Sequence, residues 1–376
     1  MNMKEFILQT IDQFVRSPSL GLDISERNAK YFSFTSVKPL SIDMFGEIEI
    51  PEGIIEQGEI KKEQELIRIF ALWHTKQPRH IRSAYITASV PEEKSFVRVI
   101  QLPKIKKREI ALAIRWELEA NVPIPPDQLI YDYEIIEPID DHLSHVDVSI
   151  TAFPKSIIES YVRVLTQAGF KLSALELESQ AIIRSCVPEL HTRKTYIVVD
   201  MGRNRTSFII FSGDAIRFTT TIPLGGKTLE ENIAKELGVS IDEAMEIKKE
   251  SGLDRRVQDG KVFSSLIPAL SVFVDELRRS IFFYQDHATH THGAESIVSS
   301  VILSGGDANL LGIDTYLASA LKIPVIVADP FMRTRSVLAE PIPAMSPHIA
   351  LSFTTAIGLA LRQILTQTRS FAQQNK

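Results

Sequence analysis

Apolar positions recur along this chain at two periods, and the switches between them mark its elements. Residues 1–19 place Phe6, Ile7, Ile11, Phe14 and Val15 at helical spacing, which predicts an amphipathic N-terminal segment. From Leu20 the pattern turns strand-like. An apolar run ends at Asp23, a polar turn spans Ser25–Asn28, and a second apolar run leads to Phe34. The same shape returns about half a chain later: Val198 to Asp200, a turn through Gly202, and a strand from Thr206 to Phe211. Both read as β-hairpins with an aspartate closing the first strand, and their repetition predicts two related lobes.

Residues 91–170 read as strand, helix, strand, strand, helix: Phe96–Leu102, Lys107–Glu119, Ile130–Ile136, Val146–Phe153 and Ile157–Gln167. That is the composition of a small αβ module. After the second hairpin, Gly225 and Gly226 precede a helix with Leu229, Ile233 and Leu237 on one face, and Thr228 with Glu231 predicts a capping box at its start. Ser240 and Glu243 predict another, for a helix that runs through Ala244, Ile247 and Lys248 and stops at Gly252. Phe263, Leu266, Leu270, Phe273, Leu277, Ile281 and Tyr284 mark the buried side of a long helix. Asp275, Glu276, Arg278 and Arg279 add charge there, read either as exposed ion pairs or as an arginine beside a ligand. Val301–Ser304 is a buried strand that runs into Gly305 and Gly306 and then a helix. The last apolar stretch, Ile349–Ile364, is interrupted by Arg362 and hydroxyl residues, so it reads as a core helix and not a membrane span.

The chemistry these patterns suggest is that of a phosphate chain with a metal. Each hairpin turn can offer backbone N–H groups to phosphate, and each aspartate can hold a hydrated magnesium ion. The glycine pairs permit close backbone approach at helix entrances, where the dipole favours negative charge; ordinary tight turns are the alternative. A net charge of -5 in 376 residues supplies no basic surface for non-specific nucleic-acid binding. The single cysteine, Cys186, lies in an apolar stretch and reads as a core thiol, with no intrachain disulfide available. No Cys or His spacing suits zinc, and His287, His290 and His292 read as loop histidines. Lys4, Glu5, Asp12 and Arg16 break up any leader-like apolar core, so a role at a membrane is expected to run through a partner.

This order of motifs resembles the actin-like ATPase superfamily. Within it, Ile50–Ile60, Val97–Pro103, Ala113–Pro125, Leu129–Tyr133 and Asp275–Tyr284 are similar to the PilM family of type IV pilus assembly, an FtsA-related branch, and the resemblance covers Gly21 to Arg362. It implies an α/β actin-like ATPase fold with two lobes around a nucleotide cleft. Residues 20–90 and 171–190 would form the first lobe (subdomain 1A), with an FtsA-type 1C subdomain inserted at 91–170. Residues 191–346 would form the second lobe (2A/2B), 347–366 a helix returning to the first lobe, and 367–376 a polar tail.

The resemblance also implies ATP and Mg2+ as ligands. Asp23, Ser25 and Asn28 would form the first phosphate hairpin, and Asp200, Gly202 and Thr206 the second, with Asp23 and Asp200 toward the metal. Gly225 and Gly226 would approach the nucleotide, Lys248 would lie near the ribose, and Ser304, Gly305 and Gly306 near the adenosine. Glu178 falls where relatives place a carboxylate near the attacking water, the other reading being a strand-end charge; turnover is expected to be weak at most. The implied partner is the cytoplasmic N-terminal peptide of a PilN-like inner-membrane protein. The pilus motor ATPase, the platform protein and self-association are looser candidates, and the location is cytoplasmic, at the inner membrane through partners. A small-molecule kinase of the same superfamily and an FtsA-like division anchor are the rival readings. The tail after Gln367 is too polar and short for the anchor's membrane helix. Where that family's first turn is Gly- and Ser-rich, this chain has Ile24–Asn28 with Glu26, and its second turn carries Arg203 and Arg205, which either offset that charge or face solvent.

Overall fold

The computed structural model describes residues 19–35, 41–104, 107–136, 145–287, 296–335, 345–362 and 364. The N-terminal stripe of Phe6, Ile11 and Phe14, His290 and His292, and the polar tail lie outside the described residues.

Two five-stranded sheets form the frame. In the first, β1 (Ser19–Ile24) pairs antiparallel with β2 (Asn28–Phe34), which sets Asp23 opposite Lys30. Beyond β2 lies antiparallel β3 (Ile42–Glu49). On the other side, β6 (Tyr85–Val90) and β10 (Lys171–Leu177) continue the sheet in parallel, giving the order β10-β6-β1-β2-β3. The second sheet repeats the plan. An antiparallel run of β11 (Thr195–Met201), β12 (Thr206–Ser212) and β13 (Ala215–Ile222) is extended in parallel by β14 (Val298–Ser304) and β15 (Val325–Val327). Its order, β13-β12-β11-β14-β15, matches the first sheet strand for strand from the opposite end. Ile197, Val198 and Val199 are all fully buried because both faces of β11 are covered, and a continuous apolar run is what such a strand requires. A short ribbon of β4 (Ile55–Glu56) and β5 (Glu59–Ile60) projects from the first lobe.

The stretch between β6 and β10 folds on a separate three-stranded sheet, ordered β7 (Phe96–Pro103), β9 (His145–Pro154), β8 (Leu129–Ile136), with α3 (Lys107–Asn121) upon it. Each expected strand and helix of this segment is found within two residues of its expected bounds. Ile114 and Leu118 of α3 pack on Val148 and Ile150 of β9 in a core of its own. The closing helix α4 (Lys155–Gln167) behaves differently: Tyr161, Val164 and Leu165 enter the first-lobe core, and Arg163 forks onto Glu63 of α1 (Glu63–Lys76) at 2.9 Å. A short helix α2 (Arg79–Ser83) leads from α1 into β6, where it buries Ile81.

In the second half, α5 (Glu178–Cys186) follows β10, and α6 (Gly226–Leu237), α7 (Ile241–Ser251), α8 (Lys261–His287) and α9 (Ile313–Leu321) surround the second sheet. Ser240 and Glu243 form the expected capping box of α7, and Gly252 ends it in a positive-φ conformation (φ 52°). For α6 the expectation needs correction. The helix starts at Gly226, before Thr228, because the Gly226 and Lys227 N–H groups donate to the Gly202 and Arg203 carbonyls (3.1 and 2.8 Å), so backbone replaces the capping hydroxyl. On α8 the ion-pair reading holds: Arg278 meets Asp275 at 3.6 Å and Arg279 meets Glu276 at 2.8 Å, both arginines exposed.

The expected final helix is two helices, α10 (Pro347–Ser352) and α11 (354–362), broken at Phe353. The Lys30 ammonium donates to the Ser352 carbonyl at 2.7 Å, and the Phe353 ring packs edge-on to Phe45 at 5.7 Å; both favour ending the first helix there. Ala356, Ile357, Ala360 and Leu361 of α11 then pack on Phe32 and Phe34 of β2. His348 of α10 bonds Asn309 of the second lobe (2.8 Å), so the helix pair links both halves.

Candidate functional site: the cleft between the lobes

The mirrored sheets bring the ends of β1 and β11 face to face, and with them Asp23 and Asp200. Burial pushes the Asp23 carboxyl up, opposed chiefly by Lys30 and by the Ser89 hydroxyl, which donates to Asp23 Oδ1 at 3.1 Å. Burial, with Asp23 as the next cause, pushes Asp200 up to about 6 against the pull of Lys30 and Arg205. Two hard oxygen donors that repel one another in a partly desolvated cleft suit a hydrated divalent cation.

Arg205 answers part of this charge. Its guanidinium crosses from the β11–β12 turn to the first lobe, where it forks onto Glu178 (3.0 and 3.2 Å) and pairs with Glu93. Glu178 opens α5 and is 8% exposed; burial raises its pKa most strongly, with Arg205 opposing. Glu178 and Glu93 in turn hold Arg205 more firmly charged. Next to them the buried Glu92 accepts from the Ser179 N–H and hydroxyl (3.2 and 3.0 Å).

The rim on the second lobe is made by segments in direct contact. Gly202 N–H donates to the Arg205 carbonyl (3.0 Å), and the Thr206 hydroxyl donates to the Leu224 carbonyl (2.7 Å). Lys248 is buried and bonds Glu230 at 2.7 Å and Asp307 at 2.6 Å, while Arg203 approaches the other Glu230 oxygen at 3.1 Å. A Cβ on Gly225 would come within 3.0 Å of the Gly202 and Arg203 carbonyls, one on Gly226 would strike Asp307, and one on Gly305 would strike the Met201 carbonyl. These glycines let the chain approach itself. Ser304 pairs with Asp200 in the β11–β14 register, and its buried hydroxyl makes no aligned hydrogen bond; nor does the buried Glu230 Oε2. Both atoms belong to the second-lobe rim, where Ser304 lies against Asp200 and Glu230 Oε2 is paired by charge with Arg203.

Of the residues expected at the site, Asp23, Asp200, Gly202, Gly225, Gly226, Ser304, Gly305 and Glu178 thus line or support the cleft, and Lys248 joins it through Asp307, next to Gly306. The Ser25 hydroxyl is instead tied to Asn28 within its hairpin (2.9 Å), and Asn28 donates to Glu47 (2.8 Å). Sequence reasoning missed Lys30, Glu93, Glu230 and Asp307. Lys30 was within reach, since hairpin register sets it opposite Asp23; the others are brought in by folding alone. At the mouth, the Asn204 amide meets Glu26 across the cleft (3.1 Å), beside a cavity of about 780 Å³ of mixed charge, with Arg27, Lys61, Arg203 and Lys227 set among Glu26, Glu52, Glu56 and Glu231. That volume is in the range of ordinary ligand clefts.

The model of the family described as type IV pilus assembly protein PilM matches residues 21–364. The cell division protein FtsA of Neisseria meningitidis serogroup B is 24% identical over 282 residues, 65% of this chain and 64% of that protein. FtsA of Bacillus subtilis is 20% identical over 346 residues, 83% of this chain and 78% of that protein. The match therefore spans just under two thirds of the Neisseria relative's own length. Among solved structures, the PilM-PilN type IV pilus biogenesis complex superposes with a TM-score of 0.74 at 22% identity, over 92% of this chain and 98% of that one. MreB5 of Spiroplasma citri bound to ADP gives 0.59 at 12% identity, over 95% and 99%. The architecture is that of the actin-like ATPases, two sheet-rich lobes about a cleft.

Proposed function

The chain belongs to the family of the type IV pilus assembly protein PilM, and from that premise we propose that it is a cytoplasmic, nucleotide-binding scaffold of the inner-membrane pilus assembly complex, which docks the N-terminal cytoplasmic peptide of a PilN-like membrane protein. The observation that carries the nucleotide reading is the facing pair Asp23 and Asp200, with Lys30 beside them and the buried Ser304 next to Asp200. Asp23 and Asp200 would hold a hydrated magnesium ion, Lys30 would meet the phosphates, and Glu230 with Lys248 would meet the sugar hydroxyls. Magnesium and triphosphate would supply a removable charge bridge between the lobes. Glu178 is committed to Arg205 and is poorly placed to activate water, so the scaffold turns nucleotide over slowly.

Calorimetry with magnesium-ATP tests the first part. Binding is expected, and Asp200→Ala is expected to weaken it strongly; no measurable affinity at millimolar ATP would overturn the reading. A multiple-turnover rate above about 1 per second, the low end of ordinary enzymes, would contradict a scaffold.

The peptide reading is supported by the inserted module. Val122 and Ile124 fill its core, but Leu112 (51% exposed) and Trp116 (62% exposed) stand out from α3 into solvent. Apolar side chains on such a surface suit a short peptide whose own apolar residues complete it. Removing the N-terminal cytoplasmic segment of the PilN-like protein should abolish co-purification, and undiminished binding would refute the docking.

A further inference from the structure

Arg205 carries a positive charge from the second lobe across the cleft to carboxylates of the first. It leaves the second lobe from a turn whose backbone is closed by the Gly202 N–H to Arg205 carbonyl bond (3.0 Å), so its direction is fixed. It ends between two first-lobe carboxylates, one on either side of the inserted module: Glu93, before β7, and Glu178, after β10. Its charge also reaches Asp23 and Asp200. Among the described residues, Arg205 shares the junction with other polar ties between the lobes: Glu92 to Thr219 beside it, His348 to Asn309 (2.8 Å), Asn204 to Glu26 at the exposed mouth (3.1 Å), and Arg217 to Asp147 on the module's flank (2.8 Å). Without Arg205, Glu178 would be buried without its counter-ion, beside Glu93, in a cleft that already holds two more carboxylates. Such a cluster repels itself, and it is relieved either by protonation of a carboxyl or by the lobes parting to admit water.

We infer that Arg205 is a built-in latch: its guanidinium holds the lobes together when no ligand is bound, and once it is removed a divalent cation can take over its charge among the cleft carboxylates. The latch requires only the ligand-free chain, so it stands whether or not the protein binds ATP.

The test uses the full chain without nucleotide. Hydrogen exchange is followed at residues 178–182 and 202–206, in EDTA and then with magnesium chloride alone. Arg205→Ala in EDTA is expected to exchange at least about ten-fold faster there than the parent, the factor that corresponds to about 1.4 kcal/mol. Magnesium chloride is expected to slow the variant again and to leave the parent unchanged. Parent-like exchange of Arg205→Ala in EDTA would overturn the latch, and a variant indifferent to magnesium would overturn the replacement of its charge by a cation. Should Arg205→Ala fail to fold, Glu93→Gln removes one of the two partners and is expected to move exchange in the same direction by a smaller factor; no change would overturn the inference equally.

Discussion

At the scale of single residues, the cleft holds charge at a cost in stability. Asp200 titrates near 6 in the fold against 3.8 when unfolded, with burial as the leading cause. Between those values the folded chain keeps a proton that the unfolded chain has released. Stability therefore falls as pH rises through that window and is flat above it. Asp200→Asn removes the carboxylate and with it this slope. Thermal unfolding should show the variant more stable than the parent at pH 7, by on the order of 1 kcal/mol, and less dependent on pH between 4 and 6. A variant that melts lower at pH 7 would show that Lys30 and Arg205 already more than compensate the burial. The two aspartates were legible in the sequence because each closes an apolar strand before a turn. The Glu230–Lys248–Asp307 cluster was not, because its members stand 18 and 59 residues apart on elements with no shared period. Arg205 was seen, but a turn residue carries no sign of which carboxylates will lie across from it.

At the scale of elements, the C-terminal helix pair shows how closely the first lobe is packed. A Cβ on Gly358 would come within 3.0 Å of the Ala181 backbone in α5, and one on Gly21 of β1 would do the same to Ala356 and Ala360 of α11. Neither glycine has an unusual φ; what each supplies is room for backbone against backbone. Gly358→Ala should lower stability by about 1–3 kcal/mol through overpacking, read as a drop in melting temperature; an unchanged value would mean that α11 shifts freely. The helix α3 offers a contrast along one face and the next. Ile114→Ala should cost about 2–5 kcal/mol, since Ile114 is fully buried, whereas Trp116→Ala should stay within about 0.5 kcal/mol. The sequence pattern foretold α3 as a helix, but not that Ile110, Ile114 and Leu118 are its buried stripe while Trp116 stands in solvent. It could not show that Phe353 breaks the final helix or that α6 begins at Gly226, because both depend on donors and acceptors from distant parts of the chain.

At the scale of the whole molecule, a repeated hairpin was enough to expect two lobes, and the matched strand orders show that the repeat extends through five strands of each sheet. The inserted module's contact with the second lobe had no counterpart in the sequence. Its polar part is Arg217 of β13, which bonds Asp147 of β9 at 2.8 Å with both side chains largely buried, and Val97 of β7 packs on the second sheet's core as well. Arg217→Met leaves Asp147 without that counter-ion and should cost about 3–5 kcal/mol in denaturant unfolding; combining it with Asp147→Leu should recover much of the loss. A double variant no better than the single would assign the cost to Arg217's backbone contacts at Ser212 and Gly213. The module thus touches both lobes, and whatever docks on it pushes on both. Lys30 offers a way to watch the cleft without a ligand label. Its ammonium serves Asp23 by charge and the Ser352 carbonyl by hydrogen bond at once. Any negative group that draws Lys30 into the cleft weakens the bond at Ser352, and a carbonyl relieved of a hydrogen bond vibrates at higher frequency. With a carbon-13 label at the Ser352 carbonyl, its infrared band should move upward as the cleft fills, and a band that stays fixed would mean the two ends of Lys30's reach are uncoupled.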